Sequence, residues 1–156
     1  MINKRAYIMK ECENYAMKYC AKEERTQRDV LEKLIKKGLT TDEANEVIAK
    51  LIKKNYINEQ RYAKLFAISK FHQNKWGRIK IGFQLREKGI SQRCIAIALK
   101  EINEKEYEAL CKKLLDDKKE ELKNEKDPFI VRKRVYSYLT SKGFETNLVK
   151  NLLAKE

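Results

Sequence analysis

The sequence predicts an all-α protein built of three tandem three-helix repeats, stacked into an elongated, curved body. Three observations predict it. First, one helix ending recurs. Leu34-Ile35-Lys36-Lys37-Gly38-Leu39, Leu85-Arg86-Glu87-Lys88-Gly89-Ile90 and Leu139-Thr140-Ser141-Lys142-Gly143-Phe144 each place Leu four residues before a glycine, Lys directly before it and an apolar residue after it. Their interval is about fifty residues, the signature of a repeat of small supersecondary units. Second, 38% charged residues with 5 glycines and 1 proline favour helix, and long alternating β-branched runs are missing. Third, helix-start residues stand where such repeats need them.

Residues 5 to 24 carry Cys12, Tyr15, Ala16, Met17, Tyr19 and Cys20 at helical spacing and predict the first helix. Thr26 with Asp29 resembles a capping box for a second helix striped by Val30, Leu31, Leu34 and Ile35 and ending at Gly38. Thr40 with Glu43 is a full Thr-x-x-Glu box, opening a third helix with a buried face of Ala44, Val47, Ile48, Leu51 and Ile52.

Asn58 caps the fourth helix, with Ile57 stapled on Tyr62 and Tyr62, Leu65, Phe66 and Ser69 facing inward. A short basic helix follows from Arg78 to Lys88, with Gly77 as N-cap, Trp76 stapled on Ile81 and Gly89 as left-handed C-cap. Ser91 starts a helix with core positions Ile95, Ala98, Leu99 and Ile102. The third unit opens with a helix from about Glu104 to Lys123, striped by Tyr107, Leu110, Cys111, Leu114 and Leu115. Asp127-Pro128 then pairs an N-cap with proline at the first helical position, and Phe144, Leu148, Val149, Leu152 and Leu153 close the unit. The boundaries are 1–56, 57–103 and 104–156. Units this small bury little core alone and must lean on one another.

Function classes narrow by what the residues lack. There is no phosphate-loop or Gly-x-Gly-x-x-Gly motif, and the single His72 stands near no nucleophile motif, so a non-enzyme without cofactor is expected. Cys12, Cys20, Cys94 and Cys111 lie too far apart for a Cys-x-x-Cys site, and the acids Asp116, Asp117, Glu120 and Glu121 interleave with lysines as on a solvated helix face. No metal site is expected. Reduced thiols, no visible secretory signal and no apolar run of membrane-spanning length point to a cytoplasmic protein.

The net charge of +13 predicts attraction to polyanions, nucleic acid ahead of membrane. The cations recur on or beside the second helix of each repeat: Arg25, Arg28, Lys33, Lys36 and Lys37, then Lys75, Arg78, Lys80, Arg86 and Lys88, then Arg132, Lys133, Arg134 and Lys142. Equivalent placement would build one cationic surface that holds phosphate backbone, single- or double-stranded, without reading sequence. The alternative is that these cations solubilise exposed faces and offset helix dipoles. Trp76 and Tyr56 have two uses, base stacking or packing at helix junctions, and packing is favoured. A base-reading helix-turn-helix fits poorly, because Thr41-Asp42-Glu43 occupies the start of its recognition helix.

Three stretches carry a family resemblance. Arg25-Thr26-Gln27-Arg28-Asp29-Val30-Leu31-Glu32-Lys33-Leu34-Ile35-Lys36-Lys37-Gly38, Asn55-Tyr56-Ile57-Asn58-Glu59-Gln60-Arg61-Tyr62-Ala63, and Lys75-Trp76-Gly77-Arg78-Ile79-Lys80-Ile81 leading to Leu85-Arg86-Glu87-Lys88-Gly89-Ile90 resemble, in that order, the RecX regulatory proteins of bacteria. Asn55 stands where that family commonly has Gly, and Asn58-Glu59 where Asp-Asp or Asp-Glu is frequent. The resemblance implies a cytoplasmic monomer of tandem three-helix repeats that lies in the groove of the RecA recombinase filament on DNA. It further implies limited filament growth or promoted disassembly, with lowered RecA ATPase, strand-exchange and co-protease activity in DNA repair and the SOS response. On this reading Arg78, Lys80, Arg86, Lys88, Arg132 and Arg134 contact DNA or acidic filament surface, while Tyr62 and Trp76 hold the repeats together. The competing reading is a non-specific DNA-binding protein without a recombinase partner; a pure interaction scaffold is third.

Overall fold

A computed structural model describes residues 3–156, and among them every regular element is helical. The α-helices are α1 (Lys4–Lys22), α2 (Gln27–Lys36), α3 (Thr41–Lys53), α4 (Glu59–Ser69), α5 (Arg78–Glu87), α6 (Gln92–Lys100), α7 (Glu104–Glu121), α8 (Pro128–Ser141) and α9 (Thr146–Ala154). A π-helical turn, Lys70–Asn74, extends α4. The accessible surface is 10177 Å². A compact monomer of this mass would expose about 8,200 Å², so the body is elongated.

The predicted caps are in place. Thr26 and Asp29 exchange side-chain and backbone bonds, as do Thr40 and Glu43, and Asn58, Ser91 and Asp127 each accept from an amide of the first turn. At the other ends Gly38, Gly89 and Gly143 have φ of 102°, 84° and 99°. In each case the next residue donates back to the repeat's leucine: Leu39 N to Leu34 O, Ile90 N to Leu85 O, Phe144 N to Leu139 O. The recurring sextet is thus a recurring 6→1 bond that satisfies an orphan carbonyl. Asn55, at φ 66°, makes the same reversal after α3, with Tyr56 N on Leu51 O at 2.9 Å.

The cores are two rather than three. Cys12, Ala16, Val30, Leu34, Val47, Leu51 and Ile57 belong to a first core between α1, α2 and α3. Ile81, Leu85, Ile95, Tyr107, Leu115, Leu139 and Phe144 belong to a second, which α4 to α9 share. Each fully buried Leu or Ile contributes about 1.5–3 kcal/mol, so helices this short are held mainly by these cores.

Packing corrects the expectation for α4. Leu65 is 55% exposed, Tyr62, Phe66 and Ser69 are half-buried, and the fully buried residues are Ala63 and Ala67. These alanines share a core with Ala98 of α6, and small side chains let two helix axes approach closely. Ile35 and Ile52, expected in buried stripes, are exposed at their edges. Ile57 lies in the first core and Tyr62 packs against the second. In α1 a carboxylate, Glu13, is buried beside the apolar face and accepts from Lys54 Nζ at 3.0 Å. That bond, with help from Lys10, outweighs burial and lowers the Glu13 pKa.

Candidate nucleic-acid and filament interface

Gly77 has no side chain to cap α5, and the third unit supplies the missing partners. Gly77 N donates to Lys142 O at 2.8 Å, Ile79 N to Gly143 O at 2.9 Å and Arg78 N to the Tyr107 hydroxyl at 2.9 Å. The amide end of α5 therefore meets the carbonyl end of α8, satisfying orphan groups on both and opposing the two dipole ends. A Cβ on Gly77 would lie 2.4 Å from Gly143 C and O, and a Cβ on Gly143 would lie 2.4 Å from Lys80 Cβ. Both positions need glycine for this approach.

Arg78, expected on the binding surface, is a brace of this joint. Its guanidinium pairs with Glu145 at 2.9 Å and with Glu104, and lies 3.8 Å from the centroid of the Tyr107 ring. Tyr107 also donates to Glu145, which explains why Glu145 precedes α9 without capping it. Burial, then the bond to Glu145, pushes the Tyr107 pKa well above its usual value. A raised folded pKa gives stability that is full below the unfolded value near 10 and lost as pH rises further. Of the 8 tyrosines, one is expected to ionise only together with alkaline unfolding, read as a late step in tyrosinate absorbance that tracks loss of helix by circular dichroism. Removal of that late step by Tyr107→Phe assigns it; persistence of the step contradicts the assignment.

Around the joint the structure gathers lysines. Lys80 Nζ is 4.7 Å and Lys70 Nζ 5.3 Å from the Trp76 centroid; Lys70 and Lys88 stand 5.5 Å and 5.6 Å from that of Phe66. Lys142 donates to Asn74 O at 2.8 Å. Its pKa is lowered by burial first and then by the charges of Lys80 and Lys75. Among the described residues none of Lys70, Lys75, Lys80, Lys88 and Lys142 has a carboxylate within ion-pair distance. The backbone beneath is irregular: the π-turn ends at Lys75 in the left-handed region, φ 57°. Such departures cost energy and are frequent at functional sites. The result is a belt of uncompensated cations around α5: Lys70, Lys80 and Lys88 stand over two aromatic rings, with Lys75 and Lys142 beside them.

Among the described residues none of the other expected cations stacks over Trp76 or Phe66. Arg25 stacks over Tyr19 at 3.9 Å and pairs with Glu23, and Lys37 stands 4.1 Å from the centroid of Tyr15. Arg28 donates to Glu87 O and so spans the first and second units, in parallel with Arg61 on Glu24 at 2.8 Å. Lys36, Arg86, Lys133 and Arg134 are exposed, and Arg132 donates to Leu153 O at the end of α9. Tyr62 lines a groove with Glu23 and Glu24 of the first unit, while Trp76 packs against the core shared by the second and third. Lys70 and Phe66 are the belt members that sequence reasoning missed as binding residues. Their only signal was Lys70 placed four residues after Phe66.

Profiles of the first and second three-helix domains of RecX match residues 12–51 and 58–99, together more than half of the chain. The chain belongs to the RecX family. It is 32% identical over 146 residues to a protein of Clostridium tetani (strain Massachusetts / E88) named "Regulatory protein RecX", covering 93% of this chain and 67% of the relative. A protein of the same name from Clostridium botulinum (strain Eklund 17B / Type B) is 30% identical over 157 residues, covering 98% and 71%. In fold the chain matches the crystal structure of RecX from Lactobacillus salivarius, with a TM-score of 0.88 at 22% identity over 96% of this chain and 97% of that one. Among the described residues no helix is long and apolar enough to cross a membrane, and no group of three or more His, Cys, Asp or Glu is placed to hold a metal ion.

Proposed function

We propose that this RecX-family chain is a cytoplasmic, monomeric, non-catalytic regulator that binds the RecA–DNA filament and limits its extension or promotes its disassembly. By doing so it lowers RecA ATPase, strand exchange and co-protease activity in DNA repair and the SOS response. It acts through three units bounded at 1–56, 57–103 and 104–156. The observation that carries the reading is the belt of Lys70, Lys75, Lys80, Lys88 and Lys142, whose charges have no carboxylate partner among the described residues. Phosphates are the natural counter-ions for such a belt, and release of condensed cations from DNA would drive the contact. An elongated body spreads several weak contacts along a filament, where they act together. Arg86, Lys133 and Arg134 extend the charged surface, while Arg25, Arg28, Arg78 and Arg132 serve chiefly inside the chain.

A second reading, non-specific DNA binding without a recombinase partner, is favoured by the same belt, since lysines on phosphate read no sequence. The two separate in the ATPase of preformed RecA filaments on single-stranded DNA, titrated at fixed salt with DNA in excess. Inhibition at protein levels well below RecA is expected. Inhibition only once the protein is abundant enough to mask the DNA would support the second reading.

A further inference from the structure

Helix α5 has three flanks. Ile81, Gly82 and Leu85 are buried, and Lys80 and Lys88 turn toward the aromatic rings of the belt. The third flank is apolar and open: Ile79 is 61% exposed and Phe83 52% exposed, one turn apart, with Arg86 a further turn on. A helix that only needed to fill the core would carry polar residues there, as α3 does with Glu46 and Lys50. Among the described residues Arg86 makes no ion pair and donates no side-chain hydrogen bond.

We propose that Ile79, Phe83 and Arg86 form the surface on which this chain docks the protein component of the filament, while the lysine belt on another flank of the same helix holds the nucleic acid. The proposal rests on the filament reading above and divides that interface between two partners. The chemistry of the ridge selects the occupant. Phosphate backbone offers nothing to an isoleucine and a phenylalanine on a helix, whereas a protein surface with an apolar recess bordered by carboxylates matches both the ridge and the cation at its end. A second copy of the chain is disfavoured, because each copy carries +13 and would bring its own belt close by. Seating both flanks of one short helix at once makes binding depend on protein and DNA being side by side, as they are in a filament.

The test is the pair Ile79→Ser, Phe83→Ser, which changes no charge and touches no buried position. Three quantities are measured for the unaltered chain and the variant: affinity for bare single-stranded oligonucleotide by fluorescence anisotropy, inhibition of RecA ATPase with DNA in excess, and sedimentation velocity of the protein alone. The variant should bind bare oligonucleotide within about twofold of the unaltered chain, yet need about tenfold more protein to inhibit the filament. Unchanged inhibition overturns the proposal. So does a parallel loss of bare-DNA binding, which would make the ridge part of the nucleic-acid surface, or an unaltered chain that sediments as a dimer and a variant that does not. An unaltered chain that binds DNA but never inhibits RecA overturns the functional reading, and this division of the interface with it.

Discussion

Substituting Gly77 by alanine is expected to lower stability by about 3 kcal/mol, far more than a glycine-to-alanine change at a helix N-cap ordinarily does. The added methyl would stand 2.4 Å from both C and O of Gly143 and 2.5 Å from Phe144 N, all backbone atoms that cannot rotate away. To make room, α5 must withdraw from α8, which lengthens Gly77 N to Lys142 O and Ile79 N to Gly143 O and pulls Arg78 N off Tyr107. Those donors would then lack partners at a joint that is largely closed to water. Gly143→Ala should be comparably costly, since its Cβ meets Lys80 N at 2.7 Å and its φ of 99° is strained for any side chain. Gly38 is the internal control: it occupies the same place in its repeat at φ 102°, but a Cβ added there would meet nothing within 4 Å. Gly38→Ala should cost only the left-handed strain, about 1–2 kcal/mol. Thermal unfolding of the three variants would show midpoints about 6–12 °C lower for Gly77→Ala and Gly143→Ala and a smaller drop for Gly38→Ala. Equal drops at all three positions would mean that the joint does not hold α5 and α8 together.

The contrast between these glycines marks what local sequence can say. Caps are written within a few residues, so Thr26-x-x-Asp29, Thr40-x-x-Glu43, Asn58, Ser91, Asp127-Pro128 and the three Lys-Gly endings are legible, and the order of the helices follows from them. The identical endings give no hint that Gly143 alone receives a second helix. That contact links residues 68 positions apart or nearly so, as Lys142 Nζ to Asn74 O does, and no spacing rule reaches so far. The face of α4 is misread when large apolar residues are equated with core, whereas Ala63 and Ala67 let α4 lie against α6 and leave Leu65 outside. Three repeats in sequence become two cores in space for the same reason: what a unit leans on is decided across units.

The site divides along the same line. A clustering of cations is legible from charge and spacing, but which of them remain available is not, because their partners are distant in sequence. Arg78 meets carboxylates at separations of 26 and 67 residues. Lys70 enters the belt on a π-turn that no residue pattern announces, beside Phe66 at the end of α4. The chain belongs to the RecX family that its motifs resemble, and within the chain the motif residue Arg78 faces Glu104 and Glu145.

Arg78→Ala and the pair Lys80→Glu, Lys142→Glu are therefore expected to fail in opposite ways. Removing the Arg78 side chain leaves Glu145 half-buried beside Tyr107 with no cation to offset it, and also uncovers the Tyr107 ring. A fully buried broken pair costs about 3–5 kcal/mol; the open side toward Glu104 is solvent-screened, so about 2 kcal/mol is the expected loss. Well below its melting temperature the Arg78→Ala protein should still bind single-stranded DNA within about threefold of the unaltered chain. The lysine pair inverts this. Glutamates at positions 80 and 142 would still repel each other, but the attraction each gains toward Lys75 offsets the lost bond from Lys142 Nζ to Asn74 O, so the melting temperature should change little. DNA affinity at moderate salt should fall about 100-fold, and the slope of log affinity against log salt should shrink by about two. Anisotropy titrations across a salt series, run beside thermal melts, give both readings. A DNA-binding loss in Arg78→Ala at full thermal stability would return that arginine to the interface, and a lysine pair that binds normally would remove the belt from it. The comparison turns on one physical difference: a cation that already faces two carboxylates has little left to offer a phosphate, and one crowded only by other cations gains most from meeting it.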